Sequence, residues 1–269
     1  MDTTQSGKPT ESKATPAPAG AAGARFVKLA KSLQFAWFVG HAIVLFSSVL
    51  YMFTFKEWLY RLVYLGVVHS FGIIIYQQHF LKTVPRDTAS LLTDENILYF
   101  ALATVWLFTP RFTISLIPYI IFSLFHFARY LQNNFLPVVF GLTRENSGII
   151  QNLTNFTQNF NERCMYWVAG VELTTEVILL LKALVWCRRS WILFPLYSLF
   201  IKIRFENSKY SRAAFAQWRV RLDGLISHPS VPPVAKKAYD FTKTKLIQLS
   251  SYQLTKPTLS PQAAEAKQN

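Results

Sequence analysis

Glu172 and Glu176 stand four residues apart in the run from Met165 to Trp186, which is otherwise apolar apart from Lys182 and a few small polar residues. On a helix that spacing puts both carboxylates on one face. An ionised side chain at the centre of a membrane helix costs about 2.5–3.5 kcal/mol on insertion scales. Such a pair could bind a cation or relay protons, with Arg61, His69 or His126 from other apolar segments as partners. The competing reading is structural: the carboxylates pair with Arg61 or a histidine inside a helical bundle, or lie near an interface. The structural reading is the stronger, because a substrate site draws polar groups from several helices and the other apolar segments offer few. A small transporter or channel using Glu172 and Glu176 stays as the alternative.

No other chemistry is legible. The chain has no HExxH, GxSxG, phosphate-binding loop, dinucleotide fingerprint or His-rich cluster, so no catalytic constellation, metal site or cofactor is expected. His41 and His79 stand alone near apolar segments and read as structural, and His228 before Pro229 reads as a loop residue. Cys164 and Cys187 are too few for a disulfide scaffold. On one continuous helix they would lie roughly 35 Å apart. Cys187, beside Arg188 and Arg189, is a candidate acylation site only if it faces the cytosol.

The elements that carry these residues follow from composition. The chain has 269 residues, 51% hydrophobic, 16% aromatic and 16% charged, where a soluble domain carries about a quarter charged. Yet 28 Lys and Arg against 14 Asp and Glu give +14. Sparse but lopsided charge fits a membrane protein whose cations crowd the loops on one side, and the apolar content excludes disorder as the main state. Residues 1–24, rich in Pro, Ala, Thr and Gly, read as a disordered tail without the apolar core of a signal peptide.

Leu33 to Phe55 is long enough to cross a ~30 Å hydrocarbon layer. Lys56 and Glu57 make a short break before a second apolar run from Trp58 to about Phe80, so the two form an antiparallel hairpin over about 33–80. Asn96–Phe108 and Phe112–Phe127 flank Thr109-Pro110-Arg111. A shallow hairpin over about 96–131 is the preferred reading, and one long kinked helix is the alternative. A third hairpin covers about 165–203, with Cys187-Arg188-Arg189-Ser190 at its turn and Pro195 in its short second arm. Between them, Ile149, Leu153, Phe156 and Phe160 define the apolar face of a separate amphipathic helix over about 147–163. The expected organisation is therefore an all-α polytopic membrane protein built of helical hairpins. Its membrane domain covers 25–205, cytosolic amphipathic helices 206–254, and a disordered tail 255–269.

If each hairpin returns to the side it left, 22 of the 28 Lys and Arg lie on the face that holds both termini. The remainder are Lys56, Arg61, Arg111, Lys182, Arg188 and Arg189. The positive-inside rule then places both termini in the cytosol. The sequons at Asn152 and Asn155 face the same side and stay unglycosylated.

Residues 202–269 hold 12 Lys and Arg against 4 Asp and Glu. One helix is expected over about 208–226, with Phe215, Trp218, Leu222 and Leu225 on one face and Arg212, Arg219 and Arg221 flanking it. Pro229, Pro232 and Pro233 separate it from a second helix over about 234–252. In that second helix Val234, Ala238, Phe241, Leu246, Leu249 and Tyr252 share an arc of roughly 160°. Lys236, Lys237 and Lys243 lie on or beside the other face, and Lys245 intrudes on the apolar side. Such helices fit the headgroup layer of an anionic, curved leaflet; the alternative is docking on the protein's own core. An acidic importin-type receptor could also use these lysines. Nucleic acid is not expected, because the aromatics sit within an apolar face rather than along a basic groove.

Two segments carry a family resemblance. Thr113 to His126 (TISLIPYIIFSLFH) resembles the Ser-x-x-Pro-x-x-x-Phe-Ser-x-x-His segment of the transmembrane protein thirty-three family. Trp191 to Arg212 (WILFPLYSLFIKIRFENSKYSR) is similar to the segment in which an apolar stretch runs into Leu/Ile-Arg-aromatic and a Tyr-Ser pair. The resemblance covers about residues 30–250. It implies a non-enzymatic protein of the nuclear envelope and tubular endoplasmic reticulum. It also implies work alongside reticulon-type proteins on curved membrane, a part in distributing or assembling nuclear pores with nucleoporins, and a membrane- and importin-binding helix at about 234–252.

Overall fold

The computed structural model describes residues 19–81, 91, 93–187 and 189–254. The expected tail at 255–269, most of that at 1–24, and Arg188 lie outside the described residues. No strand occurs among those described. Four helical stretches are long and apolar enough to cross a membrane: Leu33–Thr54, Glu57–Phe80, Thr113–Phe140 and Gly148–Leu184. The protein is an all-α polytopic membrane protein.

Helix α1 (Ala19–Ala30) takes in residues 19–24, which composition assigns to the tail. Its alanines have the highest intrinsic helix propensity, and Phe26 anchors it edge-on against Phe35 and Phe135. Ser32 separates α1 from α2 (Leu33–Thr54): its hydroxyl donates to the Leu29 carbonyl at 2.6 Å and accepts from the Phe35 N–H at 3.1 Å. Phe55 turns the chain in the left-handed region, with φ 50°. Helix α3 (Glu57–Ile75, continued by a π turn to Phe80) then runs back along α2.

The first hairpin is tight because small residues meet at its crossing. A Cβ on Gly40 would come within 2.1 Å of Ser70 Oγ and 3.2 Å of the Gly66 carbonyl, the close approach that small residues permit between membrane helices. Polar side chains fasten the pair. Ser70 Oγ donates to the Trp37 carbonyl at 3.2 Å, and His69 Nε2 donates to the Ala36 carbonyl at 3.0 Å.

Helix α4 (Glu95–Phe108) is capped by Asp94, which accepts from the Asn96 N–H at 2.8 Å, and ends at Thr109 before Pro110. The single kinked helix is thereby excluded. A 3-10 turn (Thr113–Leu116) leads into α5 (Ile117–Tyr130), with Pro118 in its first turn, then a π turn and α6 (Leu136–Phe140). This arm reaches Phe140 rather than ending near 131, so it is long enough to span. Helix α4 packs on α3 and α5 on α2. Three tyrosines of the first hairpin pin the turn between them. Tyr60 accepts from the Phe112 N–H at 3.2 Å, Tyr51 meets Thr113 at 2.8 Å, and Tyr64 meets Ser115 at 2.6 Å. Buried phenols need such partners.

The separate helix expected at 147–163 does not exist. Gly148–Leu184 is one helix, α7, of 37 residues. No proline falls within it, and Gly170 alone does not break it. Its inward face also differs from the expected one: Ile150 and Thr157 are buried, while Ile149 and Phe160 are exposed. Helix α8 (Ser190–Asn207) returns along α7, and α9 (Lys209–Ser227) and α10 (Pro233–Ser251) follow.

Candidate functional site

Of the intramembrane polar residues singled out from sequence, the structure gathers none of the expected pairs. Arg61 Nη2 donates to Glu57 Oε1 at 3.0 Å, and Nη1 donates to the Trp106 and Leu107 carbonyls that close α4. His69 is spent on the α2 backbone. The His126 ring packs against Trp37 and His41, with centroids 5.1 and 4.9 Å away, and His41 Nδ1 bonds Ser123 Oγ at 3.0 Å, joining α2 to α5.

Glu172 is buried and takes different partners. Tyr99 donates its hydroxyl to Oε1, and Arg204 Nε lies 3.6 Å from Oε2, an ion pair longer than a hydrogen bond. Arg204, itself buried, also pairs with Glu95 Oε1 and lies over the Tyr99 ring at 5.2 Å. Glu176, half-buried, accepts from Ser198 instead. Helices α4, α7 and α8 are thus tied through one cluster of two carboxylates, one guanidinium and the Tyr99 hydroxyl. Tyr99, Trp106, Tyr119, Tyr197 and Phe200 wall a space of only about 10 Å³ beside Glu172, room for about one water. Reasoning from sequence missed Arg204 and Glu95. Their signal was present, since Arg204 is a cation inside a run that is otherwise mostly apolar and is the arginine of the Leu/Ile-Arg-aromatic stretch, but nothing in the sequence joins it to Glu172.

Helix α9 divides along its length. Its first half docks on the bundle: Ser211 and Ala214 are buried, Phe215 meets Phe205 edge-on at 5.2 Å, and Lys209 pairs with Glu162 at 2.7 Å. Glu162 raises the Lys209 pKa, through its hydrogen bond first and its charge second. Arg212 caps the end of α8 by donating to the Glu206 and Phe205 carbonyls at 3.0 and 3.3 Å. Trp218 is half-buried, while Arg219, Leu222 and Leu225 in the second half are exposed.

Helix α10 docks on α9 by its polar edge. Asp223 accepts from Lys243 Nζ at 2.6 Å and from the Tyr239 hydroxyl at 2.7 Å, with Arg219 Nε at 3.7 Å. The Lys243 hydrogen bond, then that of Tyr239, holds the Asp223 carboxyl below its ordinary value, and the same contact raises the Tyr239 phenol. The far end is tied to α8, where Lys202 donates to the Tyr252 carbonyl at 2.5 Å and Glu206 accepts from the Leu254 N–H at 3.0 Å. No α10 residue is buried: Val234 is 78%, Phe241 65%, Leu249 53% and Tyr252 69% exposed, and Ala238 and Leu246 are exposed as well. Lys236 and Lys243 are half-buried on the docked side and Lys237 is exposed. The apolar arc therefore faces outward and the lysine edge faces the protein.

The comparisons with known proteins agree with this architecture. The model of the transmembrane protein 33/nucleoporin POM33 family matches residues 16–251. A pore membrane protein of 33 kDa from Saccharomyces cerevisiae is 49% identical over 246 residues, covering 86% of this chain and 88% of the relative. Nucleoporin POM33 of Chaetomium thermophilum is 33% identical, covering 82% of this chain and 86% of its own. Tetra-spanning protein 1 of Schizosaccharomyces pombe is 30% identical, at 82% and 85% coverage. No solved structure matches the chain. The resemblance carried by residues 113–126 and 191–212 thus extends along nearly all of the described helices, and the chain belongs to the transmembrane protein 33/nucleoporin POM33 family.

Proposed function

We propose that this chain is a non-enzymatic membrane protein of the nuclear pore membrane and endoplasmic reticulum that stabilises curved bilayer and helps distribute or assemble nuclear pores. The observation that carries the reading is the orientation of α10. A helix whose polar edge is held by Asp223 and whose Val234, Phe241, Leu249 and Tyr252 point outward is placed to bury those side chains about 5–10 Å deep in the headgroup layer. Lys237, exposed on that helix, adds attraction for anionic lipid. Helix α4 has 14 residues and α8 has 18, about 21 and 27 Å at 1.5 Å per residue, short of a ~30 Å layer, so the bundle is not of uniform thickness across the bilayer. With both termini cytosolic, α10 acts on the cytosolic leaflet.

The names of the relatives, pore membrane protein and nucleoporin, support the pore side of this reading. Reticulon-type proteins, nucleoporins and an acidic importin are the proposed protein partners, the last through Lys236 and Lys237. The test compares a 234–252 peptide with its Phe241→Asp variant in flotation with small and large anionic vesicles. The native peptide is expected to float preferentially with small vesicles and the variant to stay unbound. Equal flotation of both would reject the helix as a membrane element.

A further inference from the structure

The three hairpin turns come together at the end of the bundle where α8 begins, a helix length of about 27 Å from α9. They enclose a cleft of about 460 Å³ lined by Glu57, Arg61, Thr109, Pro110, Arg111 and Arg189. Each turn contributes a cation, so three guanidinium groups face one carboxylate.

Those cations differ in how much of their hydrogen-bonding capacity is used. Arg61 commits both terminal nitrogens, Nη2 to Glu57 and Nη1 to the α4 carbonyls. Arg111 spends one nitrogen, donating from Nη1 to the Phe55 carbonyl at 2.5 Å, and is otherwise exposed. The Arg189 side chain is exposed and makes no hydrogen bond or ion pair with another described residue. Phe55, Trp186 and Arg189 are the non-glycine residues at positive φ among those described, and all belong to the two turns that flank this cleft. A Cβ makes that conformation costly, and such strain collects at ligand sites. Helices α3 and α8 start here, at Glu57 and Ser190, and their N-terminal dipoles add to the positive field.

We propose that this cleft binds the phosphate group of an anionic phospholipid. Arg111 and Arg189 supply the planar donor forks that match phosphate oxygens, and Arg61 forms the fixed wall. A phosphate ester could also come from a soluble compound. The lipid is favoured because Phe55, Trp58, Phe108, Trp186 and Trp191 are all exposed at this end, and exposed aromatic rings gather at headgroup depth. The site lies apart from α10 and does not depend on the curvature reading.

The full chain, purified in detergent, is titrated with phosphatidic acid and with phosphatidylcholine, and bound lipid is counted by native mass spectrometry. Phosphatidic acid should bind at least about tenfold more tightly than phosphatidylcholine. The double variant Arg111→Gln/Arg189→Gln should lose that preference, while Lys236→Gln/Lys237→Gln should keep it. Arg189→Gln alone, at a side chain without partners among the described residues, is expected to weaken binding about tenfold, and it serves if the double variant fails to fold. Unchanged preference in Arg189→Gln would overturn the proposal. So would competition by glycerol 3-phosphate at the same concentration as the lipid, which would assign the cleft to a soluble phosphate ester.

Discussion

The two ends of the bundle treat charge in opposite ways. Near α9 the buried or docked cations have carboxylates: Arg204 lies with Glu95 and Glu172, Lys202 with Glu206 at 3.0 Å, and Lys209 with Glu162, while the exposed Arg212 caps backbone carbonyls. At the turns, Arg61 keeps Glu57 but Arg111 and Arg189 have no carboxylate among the described residues. The difference follows burial. Arg204 and Glu172 are removed from water, where an isolated charge is prohibitive, whereas Arg111 and Arg189 are exposed and cost little to leave open.

The sharpest way to break this contrast is to remove one partner of the buried pair. Arg204→Met should destabilise the bundle by about 3–5 kcal/mol, seen as a large drop in thermal midpoint in detergent. Adding Glu172→Gln should recover much of the loss, and no recovery would mean that Arg204 acts through packing alone. At the turn end the largest effect belongs to Arg61, which caps α4. Arg61→Met should cost about 1–2 kcal/mol by the same melt.

The Asp223 contact is surface-exposed, so its effect is local. Asp223→Asn should raise hydrogen exchange throughout α10 while leaving α2 and α3 protected. Its pH dependence has a definite sign. A carboxyl that titrates near 3.8 when free, and lower when docked, contributes fully at neutral pH. That contribution is lost as the pH falls below about 4 and through the docked value. Protection of the α10 amides, taken relative to the intrinsic exchange rate at each pH, should therefore be flat from pH 7 to pH 5 and fall below pH 4. The smallest effect is predicted for Arg189→Gln, within about 0.5 kcal/mol of the parent melt. A clear destabilisation would show that the cleft is held together by Arg189 rather than left open for a ligand.

Much of the fold was legible because hydrophobic length is a one-dimensional property. The runs from Leu33 to Phe55 and from Trp58 to Phe80 announce a hairpin, and Pro110 announces a turn, without any knowledge of neighbours. Helix α7 was misread where polarity stood in for a boundary. Asn152 to Arg163 changes the environment of the helix from wet to apolar, but nothing there interrupts its backbone hydrogen bonds. The charged cluster was misread for a related reason. Glu172 announced that it needs a partner, and the nearest candidates by hydropathy were Arg61 and the histidines. Arg204, 32 positions on, stands in the Leu/Ile-Arg-aromatic stretch, and no spacing rule links it to Glu172.

The chain by itself determined that helices form, that the runs from Leu33 to Phe55 and from Trp58 to Phe80 can cross a membrane, and that α10 is two-faced, because each depends on local composition and periodicity. Tertiary structure decided which carboxylate meets which cation, that the turns converge into one basic cleft, and which side of α10 is free. Those outcomes depend on distances between residues far apart in sequence. Packing at Gly40 and Gly66 and at the pinned 112–115 turn sets those distances, and hydropathy has no access to them.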